Sequence, residues 1–248
     1  MNTRKNLEQD GGTPKRSLSI RQRCGLMHAC LYMVCCKCIC CKKGSKESST
    51  EDDGAVFETS VLILGCHGSG KSTLLHQFSQ PPENREALPT GIVPTDGFSI
   101  KQVKYKNNMI SFWEVGGTPQ LRKYWHRYAT TTFFQVLVFV VDVSEAGVTA
   151  IGKSIRELKR FIDEVKAKVL LRRKTLLGLL NKADAVSTPS TPQEFKTTLV
   201  SYKAMFQFAH EHFNSVRIML TSSQAIECGH VKNSCKSHKD VLDSIVFK

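Results

Sequence analysis

A glycine-rich segment followed by lysine and serine is the part of the sequence that points most clearly to a chemistry. It reads Gly65-Cys66-His67-Gly68-Ser69-Gly70-Lys71-Ser72 and fits G-x4-G-K-[ST], with an apolar strand pattern before it and a helical pattern after it. Such a loop turns backbone N–H groups toward a phosphate, and the following helix adds its positive end. We predict that Lys71 reaches the β- and γ-phosphates and that the Ser72 hydroxyl is a Mg²⁺ ligand. The predicted nucleotide-binding residues here are Gly65, Gly68, Ser69, Gly70, Lys71, Ser72 and Thr73.

A second motif, Asn181-Lys182-Ala183-Asp184, follows directly on the strand pattern at 176–180. In a nucleotide-binding α/β sheet this is the carboxyl end, where ligands sit. A carboxylate can accept both N–H groups of the guanine edge, whereas adenine offers neither donor there. We predict that Asn181, Lys182 and Asp184 bind guanine, although Asn-Lys after a strand is also a common turn. Ser222, in a looser match near residues 220–223, is a further candidate for contact with the base.

Between these motifs lie residues suited to a metal and to the terminal phosphate. Glu114, at the end of a strand pattern, could hold Mg²⁺ through water, and the Gly117 N–H could meet the γ-phosphate. Upstream, the Thr95 hydroxyl could close over the metal; the alternative is a simple turn before a strand. The predicted Mg²⁺ ligands are Ser72, Thr95 and Glu114. The predicted catalytic positions are Lys71 and Gly117, and the family resemblance given below implies Thr118 as a third.

Alternating strands and helices must position these motifs. The predicted strands are 60–64, 98–103, 109–115, 136–141, 176–180 and 216–220, the second and third flanking a hairpin turn. The predicted helices are 72–78, 151–165, a helix from Thr191-Pro192 to about residue 213, and 239–247. This alternation predicts an α/β fold with a mostly parallel sheet of about six strands and helices on both faces.

The order of GxxxxGKS, PTxGF, W-[DE]-x-G-G and NKxD resembles a small GTPase of the ADP-ribosylation-factor-like branch. That branch also has R-x-x-W-x-x-Y after the double glycine, which here is Arg122 to Tyr128. The resemblance covers about residues 57–248 and implies the P-loop small-GTPase fold, with GTP, GDP and Mg²⁺ as ligands. It further implies effector and exchange or activating proteins as partners, with Phe98, Trp113 and Tyr128 as an exposed aromatic triad that effectors touch. The alternative is that these three are core aromatics.

Three positions depart from the family pattern. Thr118 stands where the family has a catalytic glutamine, and threonine is too short to orient the attacking water in the same way. Glu114 replaces the usual aspartate and is one methylene longer. Asp96 adds a negative charge beside Thr95. Either this charge weakens the closure of the segment on GTP, or the Asp96 side chain points outward without effect. We therefore expect slow intrinsic hydrolysis, with the nucleotide state set by exchange or by a partner.

The amino-terminal residues form a basic arm that is rich in cysteine. The 248-residue chain carries a net charge of +13, and residues 1–50 hold ten basic and three acidic residues. Seven of the ten cysteines lie between Cys24 and Cys41. The first twenty residues are polar, so we expect no secretory signal and reduced thiols. Residue 2 is Asn and not Gly, so we expect no N-myristoylation.

Three interpretations of the cysteine-rich stretch compete. The first is a zinc site, but the cysteines are spaced too closely for one. The second is a membrane-spanning helix, but the apolar stretch is shorter than the required length of about 20 residues and contains Lys37. We favour S-acylation beside basic flanks that attract anionic lipid. The candidate acylation sites are Cys35, Cys36, Cys38, Cys40 and Cys41. We expect no nucleic-acid partner, since no interleaved aromatics accompany the basic residues.

The resulting hypothesis has two domains. Residues 1–54 are a membrane-associating arm and linker, and residues 55–248 are an Arf-like small GTPase domain. We expect a guanine-nucleotide switch on the cytoplasmic face of membranes, at the Golgi or plasma membrane, with a role in signalling or trafficking. The alternative is a hydrolysis-deficient, membrane-tethered interaction module that binds nucleotide weakly or constitutively. A P-loop kinase is disfavoured because Asn181 to Asp184 selects guanine.

Overall fold

A computed structural model describes residues 57–80, 93–144, 147–185, 200–222 and 236–246. The predictions for the amino-terminal arm, including its acylation sites, lie outside the described residues. Within the described ranges, no helix combines the length and the apolar character that crossing a bilayer requires.

A six-stranded sheet forms the centre of the domain. Its strands are β1 (Phe57–Leu64), β2 (Phe98–Tyr105), β3 (Asn108–Val115), β4 (Val136–Asp142), β5 (Thr175–Asn181) and β6 (Ser215–Leu220). Their order is β2-β3-β1-β4-β5-β6, with β2 antiparallel to β3 and every other pair parallel. The central strands β4 and β5 are buried along nearly their whole length, as expected of parallel strands covered on both faces. The prediction of a mostly parallel sheet of about six strands is confirmed.

Helices cover both faces of this sheet. They are α1 (Lys71–Ser79), α2 (Pro119–Arg122), α3 (Trp125–Thr131), α4 (Gly147–Val165) and α5 (His238–Val246). Short 3₁₀ turns occur at Leu171–Arg173, Ala183–Ala185 and Gln207–Glu211. One core packs apolar residues of α3 and α4 against the sheet, and a second packs α1 and α5 against the other face.

The helix predicted to run to about residue 213 is wrong in its last part. Residues 200–204 are helical, residues 205–206 turn, and Gln207–Glu211 is a 3₁₀ helix. The reason is the burial of Phe206 over β5 at Gly178, where a Cβ would lie 3.0 Å from the Phe206 ring. Ala209, within this 3₁₀ helix, is also fully buried in the core. The residues before position 200 in this prediction lie outside the described ranges.

Candidate functional site

The glycine-rich loop joins the carboxyl end of β1 to the start of α1. Gly65 has a φ of 152°, and a Cβ there would lie 2.4 Å from the carbonyl oxygen of Val140 on β4. Only glycine therefore fits at this position. Gly68 and Gly70 also have positive φ angles of 76° and 91°. The Ser69 hydroxyl is buried and has no hydrogen-bond partner among the described residues, as expected of a loop that wraps a polar ligand.

Lys71 is buried at the mouth of this loop. Its Nζ donates to the carbonyl oxygens of Gly65 and Cys66, at 2.8 and 2.9 Å. Burial lowers the pKa of Lys71 to about 8, and the negative charge of Glu114 opposes that shift. The hydrogen-bond partners of Lys71 among the described residues are these two carbonyl oxygens, so the buried cation can accept an anion as a further partner. A phosphate beside the loop would fit this requirement.

Three oxygen-bearing side chains from separate parts of the chain meet beside Lys71. The Ser72 hydroxyl donates to Glu114 Oε1 at 2.5 Å and lies 3.1 Å from the Thr95 hydroxyl. Thr95 in turn donates to the same carboxylate oxygen at 3.2 Å. Glu114 is buried at the end of β3. Carboxylate and hydroxyl oxygens are the hard donors that Mg²⁺ prefers, so the residues present fit a magnesium ion.

The double glycine after β3 packs directly against the glycine-rich loop. The His67 N–H donates to the Gly117 carbonyl oxygen at 2.9 Å. A Cβ on Gly117 would lie 2.3 Å from the Gly65 carbonyl oxygen, so no side chain fits there. Gly116 donates its N–H to the Gly97 carbonyl oxygen at 2.9 Å and accepts the Trp125 indole N–H at 3.0 Å. The segments that carry Thr95 and Gly117 are therefore closed over the loop together.

Thr118, which stands where the family has a glutamine, has a structural role in this chain. Thr118 caps the short helix α2, and its hydroxyl accepts the Leu121 N–H at 3.4 Å. Its side chain is half-buried and turned toward its own helix. The neighbouring departure, Asp96, is exposed.

Arg122 is a buried site residue to which sequence reasoning assigned no role. Its guanidinium donates to the Cys66 sulfur in the glycine-rich loop at 3.2 Å and lies 3.5 Å from Glu157 on α4. It thus ties α2 to the loop and to the neighbouring helix. Its position in the R-x-x-W-x-x-Y block could have indicated a role. Its partners, Cys66 and Glu157, are distant in the sequence, so the block does not identify them.

The residues after β5 are fixed to the glycine-rich loop. Asn181 is fully buried, and its Nδ2 donates to the Ser69 carbonyl oxygen at 2.9 Å. The Thr221 hydroxyl donates to Asn181 Oδ1 at 3.3 Å. Ser222 donates to Asp184 Oδ1 at 2.5 Å. The structure therefore brings Ser222, the weakest of the predicted base contacts, directly beside Asp184.

Lys182 has a partner that sequence reasoning missed. It adopts a left-handed backbone with φ 63°, and its Nζ donates to Asp142 Oδ2 at 2.7 Å. Burial alone would raise the pKa of Asp142. Hydrogen bonds from Lys182 and from the Ser144 N–H outweigh burial and hold that pKa below its usual value. This ion pair joins the segment that carries Asp184 to the end of β4.

The predicted aromatic triad is neither fully buried nor fully exposed. The rings of Phe98 and Tyr128 lie 5.7 Å apart between centroids. Trp113 and Tyr128 pack partly against the core, and burial raises the pKa of Tyr128. All three keep part of their surface exposed, at the edge of the closed segments.

Comparison with known proteins gives a family and a fold. The model of the ADP-ribosylation factor family matches residues 51–236. That range includes every predicted nucleotide-binding residue from Gly65 to Ser222. The chain is 32% identical over 139 residues to ADP-ribosylation factor-like protein 1 of Caenorhabditis elegans, a match that covers 56% of this chain and 69% of that protein.

A second relative and a solved structure add to this. The E3 ubiquitin-protein ligase arc-1 of Caenorhabditis elegans is 32% identical over 111 residues, 45% of this chain but only 19% of the ligase. The fold is similar to that of the Arl6 BBS3 small GTPase from Trypanosoma brucei, solved with the bound nucleotide analogue GppNp. The TM-score is 0.53 at 16% identity, covering 76% of this chain and 95% of that one.

Proposed function

The chain belongs to the ADP-ribosylation factor family of small GTPases, and from this premise we propose that it is a Mg²⁺-dependent guanine-nucleotide switch. The single observation that carries the proposal is the meeting of Ser72, Thr95 and Glu114 within 2.5 to 3.2 Å. These residues come from the glycine-rich loop, the segment before β2 and the end of β3. A nucleotide that engages them at once would link the conformation of all three segments to its terminal phosphate.

In this account each side chain has a defined task. Lys71 neutralises the β- and γ-phosphates from the mouth of the loop, and the Gly117 N–H meets the γ-phosphate. Ser72 and Thr95 would hold Mg²⁺, with Glu114 holding it through water. Bound there, the ion would supply positive charge against the phosphate oxygens.

Asp184 selects the base in the same account. Its carboxylate accepts the two N–H groups of the guanine edge, and Ser222 keeps it oriented through the 2.5 Å hydrogen bond. Asn181 ties this base loop to the phosphate loop through Ser69. A base without these donors would leave the carboxylate unpaired, which costs affinity.

Hydrolysis of GTP by this chain is proposed to be slow. The Thr118 hydroxyl is engaged as a helix cap, so it is not placed to orient water as a glutamine would. The same observation supports the second candidate, a hydrolysis-deficient, membrane-tethered interaction module that binds a partner protein and binds nucleotide weakly or constitutively. Phe98, Trp113 and Tyr128 would form the effector surface in either case, since their exposed parts border the closed segments.

We further propose that the basic arm attaches the protein to the cytoplasmic face of Golgi or plasma membranes through acylated cysteines. The segments at 97–101 and 121–128 and the cysteine-rich stretch resemble ADP-ribosylation factor-like protein 15, which supports this arrangement. A cellular acyl-exchange assay tests it. The chain should be labelled, and the label should be lost when Cys35, Cys36, Cys38, Cys40 and Cys41 are all replaced by Ser. An unlabelled native chain beside a positive control would refute acylation.

Nucleotide binding is tested with the full chain in Mg²⁺, using labelled GDP and a non-hydrolysable GTP analogue. Both should bind tightly, and Lys71→Ala should weaken binding by about two orders of magnitude or more, because a buried charge partner of phosphate is lost. Lys153→Ala, at an exposed position on α4, is the matched control and should bind normally. Absence of binding by a folded chain would refute the switch.

A further inference from the structure

The segment between α4 and β5 is a concentrated basic region outside the nucleotide site. Residues 166–174 read KAKVLLRRK and contain five basic and no acidic residues. They lie at the amino end of β5, whereas the nucleotide site lies at the carboxyl ends of β1 and β5. The region therefore occupies the opposite end of the sheet from the site already described.

Within the part of the chain that the structure describes, most of these cations have no acidic partner. Lys166 pairs with Asp163 at 2.7 Å. Among the described residues, no carboxylate lies within salt-bridge distance of Lys168, Arg172 or Arg173, and all three are exposed. Uncompensated like charges repel one another and favour an anionic surface as a partner.

Two large apolar side chains are exposed beside these cations. Phe133, on the loop before β4, is 70% exposed, and Leu170 is 67% exposed. The two loops are joined where the Thr175 N–H donates to the Gln135 carbonyl oxygen at 3.1 Å. Lys174 Nζ lies 5.1 Å over the Phe133 ring. We call Phe133, Lys168, Leu170, Arg172, Arg173 and Lys174 the basic end surface.

The described domain also begins at this end. Phe57 is the first residue of β1 and is 64% exposed. Strand β1 neighbours β4, which neighbours β5, so the entry of the chain lies within about two strand spacings, roughly 10 Å, across the sheet. The sequence before Phe57 contains the cysteine-rich, basic arm. Chain entry, exposed apolar groups and cations therefore share one end of the domain.

From this juxtaposition we infer that the basic end surface of the GTPase domain rests on an anionic membrane. Phe133 and Leu170 would enter the headgroup region, and Lys168, Arg172 and Arg173 would contact lipid phosphates and carboxylates. Exposed apolar side chains among cations suit a lipid interface better than a nucleic acid, which takes cations and stacked aromatics. The contact would leave the nucleotide site and the effector triad facing away from the membrane. The inference rests on the proposed membrane attachment of the arm and assigns the orientation of the domain.

A tethered vesicle experiment separates this inference from the attachment of the arm. The full chain carries an amino-terminal hexahistidine tag and is bound to vesicles that contain a nickel-chelating lipid. One set is otherwise phosphatidylcholine, and the other also contains about 30% phosphatidylserine. Hydrogen exchange should slow at residues 131–135 and 166–174 only on the vesicles with phosphatidylserine, and exchange in α1 should not change. The tether holds the chain at both membranes, so the readout depends on the surface alone.

Charge reversal supplies the second readout. Arg172→Glu with Arg173→Glu should abolish that protection and weaken partitioning of the untethered chain by at least about thirtyfold, because the loss of each basic residue costs a factor of about five and the added carboxylates are repelled. Lys153→Glu with Arg156→Glu makes the same charge change at exposed positions on α4 and should retain the protection. Equal exchange on the two vesicle types would overturn the inference and leave the arm proposal standing. Protection that survives Arg172→Glu with Arg173→Glu would overturn it as well.

Discussion

Replacing Gly117 by alanine should weaken the binding of a GTP analogue much more than the binding of GDP. The new Cβ would lie 2.3 Å from the Gly65 carbonyl oxygen, 2.5 Å from the Cys66 carbonyl carbon and 2.6 Å from the His67 nitrogen. All three are backbone atoms of the glycine-rich loop, so no side-chain rotation can relieve the contact. Ordinary contacts begin at 3.4 Å, and the segment must therefore move away by about 1 Å.

The cost of this movement falls on the closed arrangement. The hydrogen bond from the His67 N–H to the Gly117 carbonyl oxygen, 2.9 Å long, would be lost, at about 1 kcal/mol. Overpacking against backbone adds about 1 to 3 kcal/mol. The closed state should thus lose about 2 kcal/mol or more, which is at least about thirtyfold in affinity for a ligand that requires it. GDP, which has no γ-phosphate to close upon, should be affected much less.

Competition binding against labelled GDP measures both affinities on the full chain. Gly117→Ala should weaken the GTP analogue at least about thirtyfold and GDP less than about threefold. Gly152→Ala is the matched control, since the nearest atom to its Cβ would be the Arg156 guanidinium at 3.6 Å. That variant should bind both nucleotides normally and gain up to about 1 kcal/mol of helix stability. Equal losses for both nucleotides in Gly117→Ala, or no loss, would refute the idea that this contact belongs to the closed state.

Three further changes test other parts of the site. Asp184→Asn replaces a hydrogen-bond acceptor by a donor, so guanine nucleotides should bind at least about a hundredfold more weakly. Xanthine nucleotides, which have a carbonyl at C2, should replace them in competition assays. A retained preference for guanine would contradict the role of Asp184. Thr118→Gln should raise single-turnover GTP hydrolysis by about tenfold or more, and an unchanged rate would show that the residue does not limit hydrolysis. Asn181→Ala should lower the free energy of unfolding, measured in urea, by about 2 to 3 kcal/mol, because the buried Ser69 carbonyl loses its donor. The control Asn214→Ala, at an exposed position, should change it by less than about 0.5 kcal/mol. Equal effects of the two changes would contradict a stabilising hydrogen bond between Asn181 and Ser69.

The strands could be predicted because burial on both faces requires a continuous run of apolar residues in the sequence. β4 and β5 are covered on both faces, so their sequences are continuous apolar runs with no polar alternation. The hairpin of β2 and β3 was predictable from its turn, where Lys106 has a φ of 52°. The glycine-rich loop is equally local, since its backbone geometry requires glycine at fixed spacing. These features depend on neighbours in sequence.

The features that sequence reasoning missed depend on contacts between distant residues. The hydrogen bond from Arg122 to Cys66 spans 56 positions, and that from Lys182 to Asp142 spans 40. Neither pair has a spacing that a helix or turn would impose. The break at Phe206 has the same origin, because its ring packs over Gly178 on a separate strand. Tertiary packing overrides the local helical preference there.

Hydrogen exchange of the full chain, loaded with GDP or with a non-hydrolysable GTP analogue in Mg²⁺, tests the central claim most directly. The closed contacts of Thr95 with Ser72 and of Gly117 with the glycine-rich loop should form with the terminal phosphate. Residues 93–98 and 116–128 should therefore exchange more slowly with the GTP analogue than with GDP, while β4 exchanges equally in both. Equal protection of 93–98 and 116–128 in the two nucleotide states would contradict a guanine-nucleotide switch.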